Sequence, residues 1–448
     1  MASNKLPVRT KMGFGVCDLG GNLFFTAMGF WSLIYLTDTV GLAAGLAGFA
    51  IMVGKLWDAV TDPVMGFVSD RTRSRWGRRR PYMLFASIPL FLTMWFFFTN
   101  PHIKSPILLT LWATLALMLL NTAYTIVNIP YSSLTPELTD DYHEQSSLNG
   151  YRFGFAVFGT ILGAAAVQPI VNAFPTKSAG FSAVGAILGL VMAVTALITF
   201  ASVKEKDHSK TELPKDGFFA TYLSVFKNKP YVLLLITYAL NLTGLNLLQG
   251  ILAYYTKYMY QDEGLTTMAM VMLLLIAMVC IPISVIVSKH IGKKLTYQFS
   301  FAMMALACVG IYFFAHTIGP KFFLAMMAFA GVGVGFGFVA PWAMVPDVIE
   351  YDAIKTGKRK EGAFYGTWTF TAKVGQAFAI FTTGSILAFV GYIADATPSP
   401  AVLSAIRLIV GPLPFVVLIA AIIVIQFYPI DEKTYQKIMA NENEVEKF

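Results

Sequence analysis

The fold class predicted for this chain is an all-α membrane protein with twelve transmembrane helices in two six-helix bundles. Three observations predict it. Of the 448 residues, 56% are hydrophobic and 13% charged, against about 25% charged in ordinary globular chains, and the mean hydropathy is +0.64. One water-soluble core could not hide that much apolar surface. Apolar runs of roughly 20 residues, the length that crosses a bilayer, recur from end to end. Lys and Arg gather in alternate connections between those runs.

The first set of spans is read near 13–36, 42–67, 82–100, 106–130, 150–173 and 180–203. A polar stretch, 204–229, follows. The second set lies near 230–258, 265–290, 296–316, 321–346, 361–393 and 402–428. The bundles are therefore expected at 1–203 and 230–428, with 204–229 a cytoplasmic central loop and 429–448 a cytoplasmic tail. Backbone polar groups in lipid are satisfied only in helices or closed barrels. The runs are continuous rather than alternating ten-residue segments, which selects helices.

Orientation follows from the basic residues. With the N-terminus cytoplasmic, inner segments carry 25 Lys and Arg and outer ones four: Lys104, Lys177, Lys257 and Lys321. Both termini are expected inside, in a plasma membrane of the bacterial inner-membrane type. The net charge of +8 is then a topology signal, with no soluble basic face for nucleic acid. The first apolar run is too long for a signal-peptide core and lacks a cleavage site. Cys17, Cys280 and Cys308 lie far apart in apolar runs, so neither a disulfide framework nor a metal site is read and no cofactor is expected.

Ionisable residues inside spans carry the functional signal, because each costs about 2.5–3.5 kcal/mol at the membrane centre on insertion scales. Span 1 holds Asp18 and Asn22, four apart on one face, suited to a cavity wall or an interhelical hydrogen bond. Span 2 reads Lys55-Leu-Trp-Asp58-Ala-Val-Thr-Asp62-Pro63, with all three charges on one face. Two carboxylates one turn apart repel, and a cation between them relieves this. Na⁺ suits oxygen ligands, and a shared proton serves as well. Pro63 leaves the Ala59 carbonyl without its helical donor. The bland alternative is an ion pair of Lys55 with one Asp.

Span 4 ends Tyr124-Thr125-Ile-Val-Asn128-Ile-Pro130-Tyr131, with Thr125 and Asn128 on a shared face. Arg152 opens span 5, where it either reaches a ligand or snorkels to the inner headgroups. Lys373 sits mid-span with Gln376 one turn on and needs a carboxylate; the Asp pair of span 2 is the natural candidate. Trp342, Tyr365 and Trp368 are the aromatic rings near in-span polar groups, and they are the candidates for stacking on a sugar. The glycines of span 10 (331, 333, 335 and 337) read as helix packing.

The halves share a weak repeat. Gly66-x-x-x-Asp70-Arg71 followed by Gly77-Arg78-Arg79-Arg80 joins spans 2 and 3, and Lys289-His-Ile-Gly-Lys-Lys294 joins spans 8 and 9. Basic loops at equivalent places fit an internally duplicated transporter, with Asp70, Arg71 and Arg78 forming a latch. After span 10, Pro346-Asp347-Val-Ile-Glu350-Tyr351-Asp352 breaks the basic pattern. Asp347 and Glu350 are either a solvated loop or partners of the 71–80 segment that hold the inner side shut.

On these residues the chain resembles the glycoside–pentoside–hexuronide:cation symporters, a branch of the major facilitator superfamily that includes melibiose permease and glucuronide transporters. The resemblance runs over nearly the whole chain and rests on Lys55–Gly66, Thr72–Gly77, Tyr124–Pro130, Pro346–Tyr351 and Lys373 with Gly375. It implies a cation site of Asp58, Asp62 and Thr125, Lys373 beside it, and Arg152 as the sugar-contacting arginine of helix V. Asn128 stands where melibiose permease has a sugar-binding Asp, and Gly20 where it has another. Fewer acids with Arg152 and Lys373 would favour an anionic sugar such as a hexuronide.

The function expected is thus Na⁺- or H⁺-coupled symport of a sugar or glycoside by alternating access, in a monomer, with the substrate in a cavity between bundles. The alternative is a sodium-coupled lysolipid carrier, as in a distant animal branch resembling this family. An integral-membrane enzyme is disfavoured because the five His (102, 143, 208, 290 and 316) are scattered at span ends and loops. A channel is disfavoured by the paired halves.

Overall fold

The computed structural model describes residues 6–139, 142–205, 224–356, 361–394 and 396–430. Among them no β-strand occurs. Eleven helices are long and apolar enough to cross a membrane. A further one, α3, has 18 residues and opens on Arg80-Pro-Tyr; those polar residues dilute its hydropathy, and it corresponds to the span expected at 82–100.

The chain divides into two compact units: Met1–Glu212 with Ile380–Ser399, and Leu213–Ala379 with Pro400–Phe448. Unit 1 holds α1 (Val8–Ile34), α2 (Ala44–Arg71), α3 (Arg80–Phe97), α4 (Pro106–Ser132), α5 (Tyr142–Ala165) and α6 (Lys177–Ser202). Within it α1 packs along α5 and α6, α2 along α4, and α3 along α6 and α4. Small residues allow the α1–α5 approach: a Cβ on Gly15 would stand 2.9 Å from the Tyr151 backbone. That approach sets Asp18 of α1 opposite Arg152 of α5.

Unit 2 holds α7 (Lys229–Tyr255), α8 (Gly264–Ile291), α9 (Lys293–Gly310), α10 (Pro320–Thr356), the first part of α11 (Glu361–Phe389), α12 (Pro400–Val410) and α13 (Pro412–Gln426). The span 10 glycines pack helices, as expected. A Cβ on Gly335 would meet Cys280 of α8 at 2.7 Å, and one on Gly333 would meet the Ser300 carbonyl of α9 at 2.7 Å. They thus serve two neighbours on opposite sides of α10. The core around Tyr231, Tyr238, Tyr297, Phe364 and Trp368 joins α7, α9, α10 and α11.

Three boundaries differ from the sequence expectation. Helix α5 starts at Tyr142, inside the expected loop 131–149, and the span breaks at Ala166 before a short helix, Val167–Asn172. Pro169 offers no N–H to the Ala165 carbonyl there. The last span is two helices joined at Gly411-Pro412. Helix α10 runs 37 residues to Thr356, so Asp347, Glu350 and Asp352 lie on helix rather than on loop. Pro341 and Pro346 are accommodated within it.

One end of unit 1 is closed by a reciprocal clamp. Glu205, just after α6, accepts the backbone N–H groups of Arg78 at 2.6 Å, Arg79 at 2.9 Å and Arg80 at 2.6 Å. These are donors that a helix N-terminus leaves without intrahelical partners. In return the Arg80 guanidinium donates to the Phe200 carbonyl near the C-terminus of α6, at 2.7 and 3.2 Å. Gly77, at φ +108°, lets the turn pass beneath Glu205, whose carboxyl carbon a Cβ would approach to 2.6 Å.

Candidate functional site

Two polar clusters stand out in unit 1. The first joins α2 and α4. The Thr125 hydroxyl lies 2.8 Å from Asp58 Oδ1 and 2.9 Å from Asp62 Oδ1. Asp58 is 1% exposed and Thr125 also 1%, while Asp62 is part-exposed. A hydroxyl carries one proton. The two carboxyl groups therefore share its single proton, an arrangement that a proton on one of them or a nearby cation would relieve. The third charge on this face, Lys55, is buried, and its Nζ stands 5.1 Å from the Phe25 ring centroid. Phe24 stacks on Tyr124 at 4.4 Å, and Phe25 meets the same ring edge-on at 5.2 Å. Nearby, Asn121 of α4 donates to the Gly54 carbonyl at 3.1 Å, fixing the register of the two helices.

The second cluster joins α1, α4 and α5. Arg152 Nε donates to Asp18 Oδ2 at 2.6 Å, and a terminal nitrogen approaches Oδ1 at 3.4 Å. The Tyr131 hydroxyl donates to the same Oδ2 at 2.7 Å. The other terminal nitrogen of Arg152 reaches the Thr135 hydroxyl at 3.3 Å. The guanidinium lies 4.9 Å from the Tyr131 ring and 5.7 Å from that of Phe14. Arg152 therefore does not snorkel away; it is held by a carboxylate. Asn22 turns its amide back onto the Asp18 carbonyl at 2.9 Å. Asn128 lines a small cavity with Cys17, Gly20, Gly21, Tyr124 and Thr195.

In unit 2 the aromatic candidates separate. Trp368 is 0% exposed and stacks on Tyr238 at 3.9 Å in the core of unit 2. Trp342 is 45% and Tyr365 37% exposed, and their rings stack at 6.3 Å. Trp342 rests edge-on against Trp368. Lys373 is 7% exposed and Gln376 is part-buried.

Lys293 donates to both oxygens of Asp347 at 2.7 and 2.8 Å and to the Ala343 carbonyl at 2.9 Å. All three ammonium protons are used within unit 2, where Asp347 is engaged. The continued α10 helix carries Asp347 to the start of α9, where Gly292 at φ +84° makes a one-residue connection. Lys294 caps α13 through the carbonyls of Gln426 and Tyr428. Arg71 lies over the Phe67 ring at 3.4 Å, and Arg78 contributes its N–H to Glu205. The side chain of Asp70 lies outside the described residues; Glu350 is part-buried on α10.

Sequence reasoning missed Tyr131, Thr135 and Glu205. Tyr131 was legible as the next turn of the Thr125–Asn128 face. Glu205 carried no local signal, since its partners are backbone groups some 125 residues earlier.

Comparison with known proteins gives a consistent relationship. A family model described as MFS/sugar transport protein matches residues 13–432. An uncharacterized symporter of Synechocystis sp. is 28% identical, covering 98% of this chain and 97% of its own. A glucuronide carrier protein homolog of Escherichia coli is 28% identical over 98% and 96%. In fold, the chain matches the crystal structure of a mutant nucleoside transporter NupG with a TM-score of 0.70 at 13% identity, over 93% of this chain and 99% of that one.

Proposed function

The chain belongs to the MFS sugar-transport family, and from that membership we propose that it is a cation-coupled symporter of an anionic sugar such as a hexuronide, working by alternating access. It is a multi-pass membrane transporter and not an enzyme. The observation that carries the coupling is the single Thr125 proton facing two carboxylates. Asp58, Asp62 and Thr125 are the proposed cation site, for Na⁺ or H⁺. Its occupancy removes the repulsion of two acids one turn apart and so lowers the cost of their burial.

The anionic end of the sugar is proposed to bind Arg152, with Asn128 and Asn22 nearby for hydroxyls. In unit 2, Trp342, Tyr365, Lys373 and Gln376 are the candidates for further sugar contacts. The cation binds first and raises sugar affinity, and the sugar raises cation affinity by the same factor. Only the empty or doubly loaded carrier reorients. The name of the Escherichia coli glucuronide carrier homolog and the Arg152 guanidinium support an anionic substrate. A monomer in a bacterial inner membrane, with both termini cytoplasmic, completes the proposal.

The test is uptake into proteoliposomes under imposed Na⁺ or H⁺ gradients. Labelled methyl β-D-glucuronide is expected to accumulate with one of them. Accumulation that ignores both gradients would remove the coupling. Transport of a labelled lysolipid in place of any sugar would replace the substrate class.

A further inference from the structure

We infer that Asp18 is an internal counter-anion for Arg152, displaced when an anionic sugar binds, and that it thereby sets selectivity for substrate over free anions. The inference rests on the reading that Arg152 receives the anionic end of the sugar. Its own observations are geometric. A guanidinium takes anions along its edge, where its N–H groups point. The Arg152 guanidinium lies over the rings of Tyr131 and Phe14, which are themselves 5.0 Å apart and so stand on one side of it. Asp18 takes the edge that Nε shares with one terminal nitrogen, and Thr135 takes one donor of the other terminal nitrogen. An anion that seeks the bidentate Nε edge competes with Asp18 for the same donors.

The pair is reachable. The Arg152 side chain is 22% and that of Asp18 15% exposed, so neither is sealed. Tyr131 gives the exchange its second position. Its hydroxyl donates to Asp18 Oδ2 at 2.7 Å, and that bond can persist after Arg152 lets go. Asp18 is thus held by a neutral donor when its cation transfers to the ligand. A bare inorganic anion offers nothing beyond what Asp18 already supplies. A sugar acid brings hydroxyl contacts in addition and can win the exchange. Specificity here comes from an occupied site that poor ligands fail to empty.

The role differs from that of a sugar ligand in sign. A carboxylate that binds sugar hydroxyls strengthens sugar binding, whereas a counter-anion weakens the binding of every anion. Asp18→Asn keeps the shape and the acceptor for Arg152 but removes the charge. Charge-assisted hydrogen bonds contribute about 1.5–3 kcal/mol, which corresponds to roughly ten- to hundredfold in affinity.

The experiment uses the purified full chain in detergent, with thermal stability and ligand binding as readouts. Sulfate is expected to raise the melting temperature of Asp18→Asn and not that of the unaltered protein. The rise is expected to vanish in Asp18→Asn with Arg152→Gln. Methyl β-D-glucuronide is expected to bind Asp18→Asn at least tenfold tighter, with methyl β-D-glucoside changed less than about threefold. Asp18→Ala provides a second route: added formate should occupy the vacated carboxylate place and restore the weaker glucuronide binding. Equal loss of affinity for both sugars in Asp18→Asn would overturn the inference, as would an absent sulfate effect. A sulfate effect without sugar binding by any form would leave Asp18 as the counter-anion and remove the sugar reading instead.

Discussion

Arg80 and Glu205 each secure the helix from which the other springs. The Glu205 carboxylate accepts the Arg80 N–H at 2.6 Å, and the Arg80 guanidinium returns to the Phe200 carbonyl at 2.7 Å. Loss of a carboxylate at a helix N-terminus removes charge-assisted bonds of about 1.5–3 kcal/mol. Glu205→Ala is expected to destabilise unit 1 by about 1–3 kcal/mol. Urea or thermal unfolding in detergent measures it, and Glu205→Gln should recover part of the loss because the amide oxygen still accepts.

Lys293 and Asp347 should behave as one unit. Lys293→Met leaves a largely buried carboxylate without the ammonium that pairs with it, and about 1–3 kcal/mol of stability is expected to go. Asp347→Asn in the same chain should return most of it. A double-mutant cycle on thermal stability reads the coupling. Additive losses would show that the pair does not act together.

The two tryptophans of unit 2 should part in their effects. Trp368→Ala opens a cavity in a filled core, and a loss of about 3–5 kcal/mol is expected, visible as poor yield and a low melting temperature. Trp342→Ala touches an exposed ring. It is expected to leave stability within about 1 kcal/mol while weakening sugar binding, measured as the KM for glucuronide uptake.

Thr125 separates shape from chemistry. Thr125→Val keeps the volume and removes the hydroxyl that contacts both Asp58 and Asp62. The coupling-ion concentration for half-maximal uptake is expected to rise at least tenfold. Thr125→Ser should stay within about threefold. Equal behaviour of the two variants would mean that the hydroxyl takes no part.

Much of this was legible from residue order, and the rest was not, for physical reasons. Long apolar runs betray the helices because the bilayer imposes a length on every span. The continuation of α10 past Pro346 was hidden, because proline reads as a stop although the helix accommodates it. Asp58 and Asp62 stood out because charges are rare in lipid and helical spacing puts them on one face, whereas Thr125 was set beside them only by the family resemblance. The Asp18–Arg152 pairing was not, since it depends on how closely α1 and α5 approach. The burial of Trp368 was not legible either, since it depends on Tyr238 of another helix.

The measurement that bears most directly on the central claim is the ion dependence of glucuronide uptake by Asp58→Asn and Asp62→Asn in proteoliposomes. Each variant is expected to reach the membrane in normal amount and to lose stimulation by the coupling ion, whether Na⁺ or H⁺. Full, unshifted stimulation in both variants would contradict the account, because the two acids would then hold no ion that matters to transport.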